Sequence, residues 1–263
     1  MSIAVGATKD TVKLVINEPI LILGALCFVV FAAISSLFGS ILIIGPFISI
    51  ILISVSLVGY TTMIDTAITR KASPNAFIHG VSKYWGQAIK AYLSITGGFL
   101  VALIIIRVAS ESILPIPSFN TAIDLIINPT LAPIQLFLVV FIIAYLPVFL
   151  LLVVQTLVCA TIVIENTTAL TAIKNSTSMI FVTPLSVLTY ILLRFGALSI
   201  AAVLGAVVSP LGIIGAQLFV AVVYAISEIY TVCYYRRRKE YLEHTRSSEE
   251  SGTYTQSTEI KTS

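Results

Sequence analysis

Long apolar runs separated by short polar turns dominate this chain, and from Ile20 to Ile64 there is no charged residue at all. A helix needs about 20 predominantly apolar residues to cross a bilayer, so each run is a candidate span. The first runs from about Pro19 to Phe38 and the second from about Ile41 to Ile64, joined by Gly39 and Ser40 in a tight hairpin. Gly45 and Pro46 predict a kink or a late start in the second. A third span runs from about Ala91 to Ile106, and Gly97 and Gly98 in its middle predict close approach of a neighbouring helix. The fourth, about Ile134 to Ile164, is long enough to tilt or bend, and Pro147 predicts the kink. Spans five (about Thr183 to Val208) and six (about Leu211 to Tyr235) form another hairpin around Ser209 and Pro210.

Between these runs the pattern turns amphipathic. Residues 8–18 mix charges with apolar positions and stop at Pro19, as a short interfacial helix does. Ser73 before Pro74 reads as a helix start, after which Phe77, Val81, Tyr84, Trp85 and Ile89 recur at helical spacing, predicting a second surface helix. The segment from Glu165 to Val182, with Leu170, Ile173, Met179 and Ile180 as apolar positions, predicts a third. Arg107 to Pro133, punctuated by prolines, is expected to cap the outer face. The expected fold is therefore all-α: a polytopic membrane helix bundle of six transmembrane helices with two or three short interfacial helices. Residues 1–18 form the N-terminal interfacial helix, 19–235 the membrane domain, and 236–263 a basic anchor with a disordered cytoplasmic tail.

Composition strengthens this picture. Of 263 residues, 58% are hydrophobic and 10% charged, and the mean hydropathy is +1.05; a soluble domain carries roughly a quarter charged residues. The first apolar run lacks a convincing signal-peptide cleavage site and is read as a span. The net charge of +3 matters less than its placement. Basic residues concentrate before span one, after spans two and four, and in the tail, whereas the opposite side holds only Arg107. That asymmetry predicts a cell-membrane protein with both termini cytoplasmic. Trp85 and the block Arg236, Arg237, Arg238 and Lys239 are candidate interfacial anchors, the block reading as a stop-transfer and anionic-lipid contact rather than a nucleic-acid site.

Candidate chemistry is sparse. Arg194 lies within span five, where an arginine costs on the order of 3 kcal/mol or more unless it finds polar company. Tyr190, Ala197, Ala201 and Gly205 share its face. Glu228, seven residues before the inner end of span six, lies at a similar depth and is the expected partner. Gln217 near the Glu228 face and Gln155 in span four complete a candidate intramembrane polar site. It reads either as a structural ion pair or as part of a polar path. No catalytic constellation, cofactor motif or metal-ligand spacing is present: His79 and His244 stand apart, and Cys27, Cys159 and Cys233 have no paired spacing. Asp65 and Glu165, one hundred residues apart, each end a span and introduce a surface segment. Helix capping is the cheaper account of each, and an internal duplication the other.

Three stretches carry a resemblance: Asn17, Glu18 and Pro19; Met63 to Ala67 followed by Ser73 to Gly80; and Ile162 to Ser178. Together they resemble archaeal multi-pass membrane proteins of no established activity. The last, with Ile164, Glu165, Asn166 and then Ala172, Ile173, Lys174 and Ser176, is similar to part of the membrane domain attached to some bacterial glycerophosphodiester phosphodiesterases, although Asn175 follows Lys174 where that family usually has arginine. The resemblance implies a standalone six-helix membrane domain and transfers no catalytic residue. The expectation is a non-enzymatic protein whose partners are the lipid bilayer and a membrane protein or a second copy of itself. The alternative is a small-solute transporter or channel using Arg194 and Glu228.

Overall fold

The computed structural model describes residues 3–24, 30, 44–112, 150–207, 219 and 222–243. Among these every regular element is an α-helix and there is no strand. In chain order they are α1 (Ile3–Asn17), α2 (Ile44–Thr69), α3 (Pro74–Ser112), α4 (Leu150–Glu165), α5 (Ala169–Val182), α6 (Pro184–Val207) and α7 (222–243). Two helices are long and apolar enough to cross a membrane, and up to three if α4 and α5, bent by 118° at their junction, count as one broken span. The fourth-span kink at Pro147, the hairpins at 39–40 and 209–210, Cys27, Gln217 and the tail lie outside the described residues, as does most of span one.

The core sits toward one end of the bundle. Residues 56–64 of α2, 157–163 of α4 and 227–235 of α7 are buried in unbroken runs, so these helix segments are covered on all sides. A helix apolar all round belongs in the middle of a bundle, which accounts for the near absence of amphipathicity in α2. At the far end Leu100, Val101, Ile104, Ile200 and Val203 are all more than half exposed. Apolar side chains left uncovered this way suit a lipid surround rather than water.

Each buried run is followed within two residues by a charged one: Asp65, Glu165 and Arg236. The three converge in a polar belt. Arg236 Nε donates to Asp65 Oδ1 at 2.6 Å, and the preceding residue, Tyr235, donates its hydroxyl to Glu165 Oε1 at 2.5 Å. Arg237 pairs with Asp10 of α1 through two nitrogens. Glu18 accepts the backbone N–H of Ala72 at 3.3 Å, tying the end of α1 to the turn before α3. The two acids expected as caps therefore bond across the bundle to α7.

The turns explain why the helices stop. Ser73 Oγ accepts the N–H of Ala76 at 3.3 Å, and Pro74 opens α3 as expected of proline in a first turn. Asn166 takes a positive φ of 52° and ends α4; asparagine tolerates this left-handed conformation better than most residues. Thr168 makes no side-chain cap to α5. Gln87 of α3 supplies the acceptor instead, 2.9 Å from the N–H of Ala169.

Three expectations change here. The surface helix at 74–90 and span three are one continuous 39-residue helix that runs past Arg107 to Ser112. At about 1.5 Å per residue it extends close to 60 Å, twice the hydrocarbon thickness. Its amphipathic first half packs on α2 in an antiparallel hairpin. A Cβ on Gly59 would lie 2.7 Å from Val81 Cγ2 and 3.0 Å from Phe77 Cε2, and one on Gly80 would overlap the Thr62 side chain. Gly97 and Gly98, expected to admit a neighbour, have nothing within 4 Å of a Cβ among the described residues. In the α2–α3 hairpin the close-approach glycines are Gly59 and Gly80. Finally, Ala197, on the Arg194 face of α6, is exposed.

Candidate functional site: a sealed ion pair

The hairpin depth inferred for spans five and six brings Arg194 and Glu228 together. Arg194 is 4% exposed and Glu228 2%, and the guanidinium Nη2 donates to Glu228 Oε1. Nη1 serves three acceptors on the same side: Thr231 Oγ1, Tyr190 Oη at 3.3 Å and the Ser227 carbonyl at 3.4 Å. Helical spacing produces this convergence. Tyr190 and Arg194 are one turn apart on α6, and Ser227, Glu228 and Thr231 fall on one face of α7. Thr231 in turn donates back to Ser227 O at 2.9 Å, a bond that costs the helix nothing and orients Oγ1 as an acceptor for the arginine.

The network reaches α4. Tyr190 Oη lies 3.3 Å from Thr156 Oγ1 and 2.9 Å from Thr231 Oγ1. The Tyr190 ring stacks on Tyr234 at 4.6 Å between centroids and on Tyr230 at 5.5 Å, and Tyr234 Oη is 3.1 Å from Ser186 Oγ. Three further buried atoms, Arg194 Nε, Ser227 Oγ and Tyr230 Oη, have no protein partner.

Of the residues singled out in the sequence, Arg194, Glu228 and Tyr190 are thus joined. Gln155 is half-buried, and its backbone carbonyl accepts from Tyr92 Oη at 3.4 Å, outside this network. Thr156, Thr231 and Ser227 belong to the network and had no sequence signal beyond being polar residues at helical spacing near the pair. Cys159 and Cys233 are free and buried.

The arrangement limits the chemistry. A guanidinium does not give up its proton in a protein and has no acceptor lone pair. Opposed to a carboxylate in a nearly closed site, it fixes α6 and α7 to one another.

The basic block behaves differently from a row of free anchors. Arg236 and Arg237 are committed to Asp65 and Asp10. The Asp10 hydrogen bond holds the Arg237 guanidinium above its usual pKa. Arg238 is fully buried and donates Nη2 to the carbonyl of Met179 in the last turn of α5, where a cation complements the helix dipole. Burial pushes its pKa down. Trp85 is 55% exposed, open to an interface. A cavity of about 520 Å³ opens between α1, the end of α2 and α7, lined by charged residues that include Lys13, Glu18, Arg70 and Glu240. No family model, curated protein or solved structure matches the chain.

Proposed function

We propose that the chain is a six-span integral membrane protein of the cell membrane, with both termini cytoplasmic, that organises lipid or a membrane partner and is not an enzyme. The observation that carries the topology is the belt. Four points along the chain meet at one end of the bundle: Asp10 to Glu18, Asp65 to Ala72, Glu165 to Ala169, and Tyr235 to Arg238. In this reading each intervening stretch leaves that end and returns to it, and so crosses an even number of times. Two crossings apiece give six. The belt end is also the end rich in lysine and arginine, in accord with the positive-inside rule.

The organising role is supported by the closed state of the Arg194–Glu228 ion pair and by the exposed apolar faces around it. In α1, Val5, Val12 and Ile16 are exposed beside Lys9 and Lys13, a pattern suited to the surface of an anionic bilayer. Trp85 and Lys239 serve as interfacial contacts in this reading, while Arg236, Arg237 and Arg238 hold the helices. The alternative, a small-solute transporter or channel, draws on the unpartnered polar atoms around Arg194, which a passing solute would engage.

Flux in proteoliposomes separates the two. The organising reading predicts that small cations, anions and neutral solutes leak no faster than from empty vesicles, together with lipid enrichment around the chain by energy transfer. A solute flux abolished by Glu228→Gln would replace it with the transporter reading.

A further inference from the structure

We infer that the cavity between the end of α5 and the end of α7 takes the phosphodiester of a membrane phospholipid, with Arg238 as its inner wall and Lys239 beside it. This rests on the reading of the chain as a membrane protein that organises lipid, and names where one lipid is held.

Arg238 makes no ion pair among the described residues, although its neighbours Arg236 and Arg237 both do. It is fully buried. The bond to Met179 O uses one nitrogen, and Nε and Nη1 have no partner among the described residues. A guanidinium carries five N–H donors in a planar fork suited to phosphate oxygens, so capping α5 accounts for a minority of them. Burying a cation without a counterion is costly unless one arrives.

The cavity has a volume of about 300 Å³, and Ser178, Asn175 and Lys239 line it with Arg238, at the small end of the range for ligand sites. Two carboxylates also line it, Glu165 and Glu243. Glu165 already accepts from Asn175 Nδ2 at 2.6 Å and from Tyr235 Oη. With two cations against two anions the walls are formally neutral, which disfavours a phosphate dianion and suits the single charge of a diester. The edge is apolar: Val182 lines the cavity, and with the adjacent Phe181 and Leu185 it is 59 to 76% exposed, giving acyl chains a surface on which to lie. Because the guanidinium is covered, engagement requires the Arg238 side chain to rotate toward the cavity.

The test is the unfolding midpoint of the full chain in an uncharged detergent, followed by intrinsic fluorescence, since binding to the folded state raises the midpoint. The probes are dihexanoyl phosphatidylglycerol, dihexanoylglycerol, and inorganic phosphate at matched ionic strength. The phospholipid is expected to raise the midpoint by several degrees and the phosphate-free diglyceride not to. Arg238→Gln and Lys239→Gln should raise the half-saturating lipid concentration about tenfold or more, and Arg237→Gln, the same charge change outside the cavity, should not. If Arg238→Gln does not fold, Lys239→Gln and Ser178→Glu decide. An absent lipid effect, or equal effects in the Lys239 and Arg237 variants, overturns the inference; an equal shift with inorganic phosphate reassigns the cavity to a free anion and overturns the lipid. The underlying reading fails separately, through solute flux or loss of lipid enrichment, whatever this cavity binds.

Discussion

Removing Arg194 alone should be far more damaging than removing it together with Glu228. Both ions are almost completely covered, at 4 and 2% exposure, so solvent does not relieve the charge that remains. Breaking a buried pair by deleting one partner costs about 3–5 kcal/mol, because the survivor is left uncompensated. Arg194→Leu additionally strips Thr231, Tyr190 and the Ser227 carbonyl of a donor, and places the variant toward the upper part of that range. Glu228→Leu leaves the guanidinium with neutral acceptors only and falls toward the lower part. Replacing both by apolar residues of similar size removes the desolvation cost with the attraction. The double variant Arg194→Met with Glu228→Leu should therefore recover to within about 1–2 kcal/mol of the parent or exceed it. Equilibrium unfolding of the full chain in mixed micelles, set out as a double-mutant cycle with Arg194→Met and Glu228→Leu as the single variants, measures the coupling directly. Single variants that each cost under about 1 kcal/mol and add in the double would refute the sealed pair.

The hairpin of α2 and α3 predicts that Gly80→Val costs about 1–3 kcal/mol through overlap with Thr62, whereas Gly86→Ala, with nothing within 4 Å of its Cβ, should be neutral or stabilising by up to about 1 kcal/mol; thermal unfolding of the two variants checks both. Tyr235→Phe removes one donor from Glu165 and should cost about 1 kcal/mol in the same assay. Arg236→Gln loosens a pair that is 26 and 22% exposed, so its cost stays at or below about 1 kcal/mol and shrinks in high salt; a larger, salt-independent loss would show that the belt is more deeply insulated than its exposure indicates.

The Arg194–Glu228 pair was legible in the sequence because an arginine inside an apolar run demands a partner, and a two-residue hairpin fixes the depth at which to seek one. Gln155 was not separable from it by the same logic: depth does not say which way a side chain on another helix faces, and its backbone carbonyl meets Tyr92. The helix start at Pro74 and the end of the long run at Glu165 were readable from local chemistry. The continuity of α3 was not, since Phe77, Val81 and Tyr84 have the same spacing whether they face a bilayer surface or Gly59 and Thr62 of α2. The belt was hidden for a different reason. Asp65, Glu165 and the basic block all stand out along the chain, but Asp65 and Arg236 are 171 positions apart, and nothing local connects them. Gly59 and Gly80 carried no mark distinguishing them from Gly97 and Gly98; the difference is which helix face meets a neighbour.

The most direct measurement of a closed bundle is thiol labelling at Ser227. Its side chain is buried at 5% exposure and its carbonyl faces Arg194, so Ser227→Cys places a small probe beside the pair with both charges left in position. In a background with Cys27, Cys159 and Cys233 replaced, a membrane-impermeant thiol reagent applied from either side should leave the folded protein unmodified and react fully once it is denatured. Rapid reaction of the folded protein from one side would reveal a water-filled path to Arg194 and Glu228, and contradict a sealed ion pair.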